Sequence, residues 1–261
     1  MDLGLVDRVV LVTGASKGIG YACAAAFLSE GARVALVSRN RANLDAALDR
    51  AQLSKFSPLA VAADMTDAMA TRDAIDAVEA QLGPIDVLVN SAGAALRYPP
   101  ADLDALSWRA AMDAKFFSTI HPTDIVVKRM AARGRGAIVN IIGMGGKVGN
   151  PVHLPGGAAN AALMLATVGL AAAYAPSGVR INGINPGSTL TDRVQEGLEA
   201  EAKWTGKSIE ALRKLSEARI PIGRMGTPEE VAQVAIFLAS DRASYVTGAL
   251  VPMDGAANPV F

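Results

Sequence analysis

Cysteine and histidine are scarce in this chain of 261 residues, which has one Cys and two His. The single thiol, Cys23, rules out an internal disulfide bond and is typical of a protein in a reducing compartment such as the cytoplasm. Structural zinc sites take four Cys or His ligands, so the sequence predicts no metal centre.

An excess of charge of either sign is also lacking, since Lys and Arg total 25 and Asp and Glu total 25. Nucleic-acid-binding proteins usually carry a basic face, so we expect no nucleic acid partner. The residues before Val6 are too few for a signal peptide. Residues 157–175 are apolar enough to suggest a membrane span, but they are mostly Ala and include Asn160 and Thr167. We interpret them as a buried or subunit-facing helix and expect no membrane partner.

Short apolar runs alternate with longer helical patterns along the chain. The runs that predict strands are residues 8–12, 33–37, 59–63, 85–89, 137–142, 180–184 and 250–252. The patterns that predict helices are residues 19–30, 41–52, 68–82, 104–132, 157–174 and 228–239. This alternation predicts one α/β domain over residues 1–261, with a doubly wound parallel sheet of seven strands in the order 3-2-1-4-5-6-7 and helices on both faces. Residues 191–224 fall outside the alternation and are expected to form a substrate lid over the carboxyl edge of the sheet.

A glycine-rich turn follows the first predicted strand and precedes a predicted helix. Gly14 permits the tight turn, Gly18 lets the backbone approach a pyrophosphate, and Gly20 lets the helix pack closely on the strand. The N–H groups and the positive dipole at the start of the helix would bind the phosphates, whereas the alternative is an ordinary turn. The turn predicts a Rossmann-type dinucleotide site with contacts from Gly14, Ser16, Lys17, Gly18, Ile19 and Gly20.

The spacing Gly-x-x-x-Gly-x-Gly in this turn resembles the short-chain dehydrogenase/reductase family, and later motifs extend the resemblance over nearly the whole chain. The matching motifs are Asp64-Met65, Asn90-Ser91-Ala92-Gly93, Asn185-Pro186-Gly187 with Thr191, and residues 220–224, 227–232, 245–248 and 253–255. The resemblance implies that adenine lies near the first motif and the nicotinamide near the loop after the sixth strand. It implies cofactor contacts from Asp64, Met65, Asn90, Ala92, Gly93, Pro186, Gly187, Thr189 and Thr191.

The end of the second predicted strand indicates which cofactor is bound. NAD-specific members of the family carry an acidic residue there, whereas this chain has Ser38 followed by Arg39. Lys17 adds a second cation within the glycine-rich turn. Two cations and no carboxylate suit the 2′-phosphate of NADP, so we expect NADP(H) to be preferred over NAD(H). The alternative is that Lys17 and Arg39 are solvated surface charges.

The resemblance also places the family's catalytic Asn, Ser, Tyr and Lys, and this chain keeps none of them. The four positions hold Lys115, Gly143, Gly156 and Asn160, which implies a divergent subgroup. Loss of an oxyanion donor costs about 3 kcal/mol in the transition state, and loss of a general acid costs roughly 10²–10⁴-fold in rate. Ordinary carbonyl reduction by the family mechanism is therefore not expected.

Four residues are candidates for replacing the lost groups. Lys115 and Asn160 resemble the family's Asn and Lys with their places exchanged, although Lys115 is equally a candidate for an ion pair with a carboxylate. His153 lies three residues before the family's Tyr position and titrates near neutral pH, but a loop histidine is more often structural or solvated. Tyr98 lies beside the same cleft, where packing before Pro99 is the alternative role.

Two functions fit these residues. The first is an NADP(H)-dependent oxidoreductase that acts on a small carbonyl or alcohol substrate with an atypical proton donor, and the intact cofactor motifs favour it. The second is a catalytically silent NADP(H)-binding protein, acting as a sensor or partner subunit, which would explain the loss of all four groups. The small and apolar residues near the site predict a roomy, weakly polar pocket; they are Gly143, Met144, Gly145, Gly146, Gly156 and Gly157.

The two longest predicted helices indicate self-association. Residues 104–132 and 157–174 present more apolar surface than one face of a sheet needs to cover. In the family these two helices build a dimer core, and the C-terminal strand builds a second interface. We therefore expect a homotetramer or a homodimer with a two-fold contact.

Overall fold

Seven parallel strands form one sheet in the computed structural model, which describes residues 2–50, 52–93 and 96–259. The strands are β1 (Val9–Thr13), β2 (Arg33–Ser38), β3 (Leu59–Ala62), β4 (Val87–Asn90), β5 (Gly136–Ile141), β6 (Val179–Pro186) and β7 (Leu250–Met253). Their order is β3-β2-β1-β4-β5-β6-β7, which confirms the predicted topology. Because the order reverses between β1 and β4, the loops after these two strands lie side by side at the carboxyl edge.

Helices cover both faces of the sheet. They are α1 (Gly18–Ser29), α2 (Arg41–Leu48), α3 (Ala68–Leu82), α4 (Ala105–Ala111), α5 (Ser118–Arg133), α6 (Leu154–Tyr174), α7 (Asp192–Thr205), α8 (Ile209–Glu217) and α9 (Pro228–Ala239). One core lies against α1 and α9 and contains Val10, Val12 and Phe27. The second lies against α3, α5 and α6 and contains Leu11 and Ile138. Because both faces are covered, β1 and β4 are buried along their whole length.

The predicted helix over residues 104–132 is interrupted. α4 ends at Ala111, one π-helical turn covers Met112–Phe117, and α5 begins at Ser118. The Ser118 hydroxyl donates to the carbonyl oxygen of Ala114 at 2.8 Å, which competes with the regular backbone ladder of an α-helix. Apolar periodicity does not reveal such a wide turn, and this turn carries Lys115.

Other element boundaries differ from the prediction by a few residues. β1 begins and ends one residue later than predicted, and α2 ends at Leu48 rather than at residue 52, with residue 51 outside the described residues. α6 begins at Leu154, three residues early, because Pro155 fits in the first turn of a helix, where no N–H is needed. These shifts leave the connectivity of the fold unchanged.

The predicted lid over residues 191–224 contains α7 and α8. Gly206 adopts a left-handed conformation (φ +70°) at the end of α7, and the Ser208 hydroxyl begins α8 by accepting the N–H of Ala211 at 3.2 Å. Leu198 on α7 and Leu212 on α8 are buried, and the two helices pack against each other. A role for this pair of helices as a substrate lid remains a prediction.

Helix α6 and its flanking turns, Pro151–Ser177, are long and apolar enough to cross a membrane by length and composition. Of its most apolar part, 33 % is buried inside the protein. One side of α6 packs on β6, and Leu163, Thr167 and Ala171 are buried there. Core helices of proteins in water pass the same test, so α6 is weak evidence for a membrane span.

Candidate functional site

The loops after β1 and β4 are bound to each other at the switch point of the sheet. The Thr13 side-chain oxygen accepts the N–H groups of Ser91 (3.2 Å) and Ala92 (3.1 Å). Gly14 has φ +66°, and a Cβ at this position would lie 2.7 Å from the backbone nitrogen of Ala92. Only glycine fits such an approach, so the structure brings the predicted contacts Gly14 and Ala92 together.

The start of α1 faces the loop after β6. Lys17 precedes the helix in an extended conformation, and its side chain caps none of the first N–H groups. A Cβ on Gly18 would lie 3.5 Å from Cγ2 of Thr191, and a Cβ on Gly20 would collide with the carbonyl oxygen of Gly14. The uncapped N–H groups, with bare backbone on one side and Thr191 on the other, can hold a pyrophosphate. The cradle therefore fits the phosphates of a dinucleotide.

The end of β2 carries hydroxyl groups and cations. The hydroxyl oxygens of Ser16 and Ser38 lie 3.1 Å apart. Lys17 and Arg39 are exposed, and neither side chain makes a hydrogen bond or an ion pair with any residue that the structure describes. Arg41, in contrast, is engaged with Asp45 at 2.8 Å. Lys17 and Arg39 are therefore the cations here that remain open to an anionic ligand.

The loop after β3 is held rigidly. One carboxylate oxygen of Asp64 accepts both the N–H and the hydroxyl of Thr66 at 2.9 Å. Met65 is buried, and its carbonyl oxygen lies 3.2 Å from Nδ1 of His121. His121 is a residue that the sequence did not single out, because its contact with position 65 depends on how α5 packs. The arrangement leaves the second Asp64 oxygen for a ligand.

Asn90 belongs to a buried polar network. Its Nδ2 donates to the hydroxyl of Thr123 and to Oδ1 of Asn140, both at 2.9 Å. Nδ2 of Asn140 donates in turn to the hydroxyl of Thr167 at 2.9 Å. The network joins β4 and β5 to α5 and α6, and so helps to fix the spacing between these strands and helices.

The loop after β6 is fixed from two sides. The Gly187 N–H donates to the carbonyl oxygen of Met253 at 3.0 Å, and the Thr189 hydroxyl donates to the carbonyl oxygen of Gly187 at 3.3 Å. Thr189 also pairs with Gly226, in a short bridge between this loop and the segment that follows the predicted lid. Pro186 and Gly187 thus lie at the carboxyl edge between β5 and β7, and their contact with a nicotinamide stays a prediction.

Lys115 reaches the end of β5 from the π-helical turn. Its Nζ donates to the carbonyl oxygen of Ile142 at 3.1 Å. A Cβ on Gly93 would lie 3.3 Å from Cδ of Lys115, so the loop after β4 confines the aliphatic part of this side chain. One partner of Lys115 is thus a backbone carbonyl oxygen, whereas the sequence left open an ion pair with a carboxylate.

The side chains of Asn160 and His153 both lie close to the loop after β5. A Cβ on Gly143, which has φ +125°, would lie 3.3 Å from Nδ2 of Asn160. A Cβ on Gly145 would lie 3.3 Å from Cδ2 of His153 and 3.5 Å from Nδ2 of Asn160. Asn160 is 3 % exposed, and its Oδ1 is buried without a hydrogen-bond partner among the described residues. The three predicted catalytic residues, Lys115, His153 and Asn160, therefore gather at one end of β5.

The prediction of a roomy pocket is wrong for part of this loop. Met144 is buried, and a Cβ on Gly146 would lie 2.7 Å from the backbone nitrogen of Ala161. A Cβ on Gly157 would lie 2.8 Å from the carbonyl oxygen of Gly145. These glycines let the loop and α6 approach each other closely, and the space that Gly143 leaves is taken by the Asn160 amide.

Two further residues border the site. The Tyr98 N–H donates to the carbonyl oxygen of Val152 at 3.0 Å, which holds the chain beside His153 and agrees with a packing role for this segment. Asn185 is fully buried at the end of β6, and both polar atoms of its amide lack partners among the described residues. In the sequence, only its position directly before Pro186 indicated that Asn185 could belong to the site.

Comparisons with known proteins show what the chain and its fold are similar to. A family model described as enoyl-(acyl carrier protein) reductase matches residues 14–258. D-Threitol dehydrogenase of Mycolicibacterium smegmatis is 36% identical over 254 residues, which cover 97% of this chain and 94% of the relative. Galactitol 2-dehydrogenase (L-tagatose-forming) of Cereibacter sphaeroides is 36% identical over 264 residues and 98% of each chain. The structure of L-sorbose reductase from Gluconobacter frateurii with NADPH and L-sorbose has a TM-score of 0.92, with 29% identity and 100% of each chain covered.

Proposed function

This chain belongs to the short-chain dehydrogenase/reductase family, and from that premise we propose that it is an NADP(H)-dependent oxidoreductase for a small alcohol or ketone with an atypical proton donor. The observation that carries the proposal is the Lys115 ammonium, 3.1 Å from the carbonyl oxygen of Ile142 and therefore one residue away from Gly143. Relatives and structural neighbours act on threitol, galactitol and sorbose, which supports a small polyhydroxylated substrate.

The choice of NADP(H) rests on Lys17 and Arg39, which are open to a 2′-phosphate at the end of β2. Neighbours with bound NADPH, among them L-sorbose reductase, support it. An NAD-dependent glycerol dehydrogenase of Listeria innocua, 34% identical over 254 residues, shows that the family accepts either cofactor. The two cations favour NADP(H), since a dianionic phosphate would gain charge-assisted hydrogen bonds from both.

The proposed chemistry follows from the donors at the end of β5. The bound cofactor would supply or accept the hydride at the carbon of the substrate. The Lys115 ammonium stabilises negative charge that develops on the substrate oxygen and donates a proton to it, and Nδ2 of Asn160 offers a second, neutral hydrogen bond. Gly143 and Gly156 bring no side chain, so Lys115 and Asn160 take over the work of the family's Ser and Tyr. His153, beside Asn160, connects this group to solvent.

The decisive experiment is a turnover screen over small polyols and their ketoses with NADP(H), using wild type, Lys115→Met and the surface control Lys55→Met. We expect Lys115→Met to lower kcat by roughly 10²–10³-fold, because it removes both a cation and an acid from the transition state, while the Kd of NADPH stays unchanged. Lys55→Met should match wild type. Full turnover by Lys115→Met would refute the proposed role.

A catalytically silent NADP(H)-binding protein is the second candidate, and the bare backbone at Gly143 and Gly156 favours it. In that case wild type would bind NADPH but turn over no substrate in the screen. Exchange of all four positions for the family's residues (Lys115→Asn, Gly143→Ser, Gly156→Tyr and Asn160→Lys) would then create ketone reductase activity that wild type lacks. Gly156→Tyr alone should not, because the four groups act as one unit.

We also propose that the protein self-associates, because apolar side chains are exposed on the helices that were expected to form a dimer core. Leu165 and Val168 on α6 are 76% and 40% exposed, and Leu106 and Trp108 on α4 are 72% and 40% exposed. Four large apolar side chains on neighbouring helices would be covered in a two-fold contact with a second copy, rather than by lipid. We therefore propose a cytoplasmic homotetramer or homodimer. Light scattering should return an oligomer for wild type and a smaller species for Leu165→Glu, and a wild-type monomer at micromolar concentration would contradict it.

A further inference from the structure

The hydrogen-bond ladder between β5 and β6 lacks one donor. Ile141 is paired with Ile184 in parallel register, and the Ile142 N–H continues the ladder by donating to the carbonyl oxygen of Ile184 at 2.8 Å. In a parallel ladder, the next bond runs from the N–H of residue 186 to the carbonyl oxygen of Ile142. Residue 186 is proline and has no N–H, so the ladder leaves this carbonyl oxygen without its donor.

Lys115 supplies the missing donor. Its ammonium lies 3.1 Å from the Ile142 carbonyl oxygen, and Ile142 is itself buried. A buried carbonyl without a donor is costly, and a donor that carries charge forms the stronger bond. A lysine side chain otherwise samples many rotamers, so a fixed acceptor at this point favours one position of the ammonium.

We propose that Pro186 is a positioning residue for Lys115: by withholding an N–H, it keeps the Ile142 carbonyl oxygen available, and this oxygen fixes the ammonium at the end of β5. Residues 115, 142 and 186 come from the π-helical turn and from two different strand ends, and they meet only through the register of the sheet. The catalytic consequence rests on the proposed function, whereas the fixing of the ammonium is independent of it.

Pro252 provides a matched control in the same sheet. The N–H groups of Gly183 and Gly187 donate to carbonyl oxygens of Ala249 and Met253 on the β7 side, and Pro252 is paired in register with Asn185. This alternation turns the nitrogen of Pro252 toward the open side of the edge strand, away from β6. Replacement of Pro252 therefore restores an N–H without offering it to the carbonyl oxygen of Ile142.

The first measurement is the accessibility of Lys115. Wild type, Pro186→Ala and Pro252→Ala are labelled briefly with acetic anhydride, and the rate at each of the eight lysines is read by mass spectrometry. In Pro186→Ala the new N–H competes for the Ile142 carbonyl oxygen, so we expect Lys115 to react at least threefold faster while the other seven lysines keep their rates. Pro252→Ala should match wild type. Pro186→Ser, which also restores the N–H, replaces Pro186→Ala if the latter does not fold.

The second measurement is a double-mutant cycle on the melting temperature. Lys115→Met removes the donor from the Ile142 carbonyl oxygen, so it should lower the melting temperature in wild type and in Pro252→Ala by the same amount. In the Pro186→Ala background, Lys115→Met should lower the melting temperature by at most half as much, since the restored N–H of residue 186 then supplies the donor. Additive effects, together with an unchanged labelling rate in Pro186→Ala, would overturn the positioning role.

The two proposals fail in different ways. If Lys115→Met keeps full turnover but Pro186→Ala speeds the labelling of Lys115, the catalytic role of Lys115 is refuted and the positioning role of Pro186 is supported. If Lys115→Met loses turnover but labelling and the cycle show no coupling to Pro186, the reverse holds. When both stand, Pro186→Ala should lower kcat more than it raises KM, and Pro252→Ala should change neither.

Discussion

The proposed cofactor half of the molecule and its proposed catalytic half place key glycines in different surroundings. In the cofactor half, which comprises the loops after β1, β2 and β3, Gly14 and Gly20 lie where any Cβ would meet backbone atoms. In the catalytic half, which comprises the end of β5, the π-helical turn and the start of α6, Gly143 leaves space that the Asn160 amide occupies. Gly14 and Gly20 are therefore required by backbone contact, whereas the nearest neighbour of Gly143 is a side chain, although Gly146 and Gly157 in the second region also lie against backbone atoms.

The two proposed roles place different demands on the chain. A dinucleotide is held chiefly by backbone N–H groups and by a close approach, so the glycines there have no substitute. Proton transfer needs only a donor at the right point, and a donor can reach that point from more than one element. The Lys115 ammonium arrives from the π-helical turn, and the Asn160 amide arrives from α6.

The largest expected effect comes from breaking the cofactor half. Gly20→Ala places a methyl group against the carbonyl oxygen of Gly14, so we expect the Kd of NADPH to rise by about 100-fold, with a lower melting temperature. Fluorescence titration and thermal unfolding measure both. Gly149→Ala is the matched control, because a Cβ there meets no atom within 4 Å. Equal affinities for the two variants would show that the cradle does not need its glycine.

A smaller effect should follow from reversing one charge at the end of β2. Arg39→Asp removes a cation and adds a carboxylate that repels the 2′-phosphate, so the Kd of NADPH should rise roughly 10–100-fold. The Kd of NADH should change little, since NADH carries a hydroxyl group there. Calorimetric titration of both cofactors checks this, with Arg41→Asp as the comparison, because Arg41 is already paired with Asp45. An unaltered Kd of NADPH would contradict the role of Arg39.

Gly143→Ser tests the catalytic half. The new side chain would lie against Nδ2 of Asn160 and would require a backbone with φ +125°, which L-residues rarely adopt. We expect kcat to fall by about 10-fold through displacement of the amide, with little change in the Kd of NADPH. Gly149→Ser, in the same loop but in open space, controls for an added hydroxyl. A rise in kcat would mean that a family-like Ser is useful here and that Asn160 does not replace it.

The smallest effect concerns the start of α9, outside both halves. Hydrogen bonds from Arg224 and from the Thr227 N–H lower the pKa of Glu230 to about 2. A lowered pKa in the folded state means that the charged form adds stability above the ordinary pKa of a Glu, and that this stability is lost as the pH falls toward 2. Glu230→Gln should therefore lower the melting temperature by a few degrees at pH 7.

The pH series supplies the control for Glu230. The difference between wild type and Glu230→Gln should shrink as the pH is lowered from 5 toward 2, because wild type is then protonated at the same position. Glu229→Gln, at the neighbouring helix position, should show no such trend, since Glu229 belongs to neither the ion pair nor the capping box. A difference that is constant with pH would argue against the charge of Glu230 as the cause.

The order of the strands, the glycine-rich turn and the cations beside Ser38 could all be predicted from local patterns in the sequence. These features depend on short segments, in which periodicity, turn conformation and charge are written in consecutive residues. The sequence also identified Lys115, His153 and Asn160 as candidates, and the structure brings them to one end of β5. It did not reveal the π-helical turn.

The tertiary structure alone decided what these candidates contact. The carbonyl oxygen of Ile142 holds Lys115 because the register of β5 and β6 sets Pro186 beside it, and that register cannot be read from any one segment. The hydrogen bonds from Asn90 to Asn140 and from Asn140 to Thr167 likewise join residues that are far apart in the chain. Local pattern thus fixed the elements, whereas the partners of the polar side chains depended on contacts between residues far apart in the chain, which exist only once the sheet has formed.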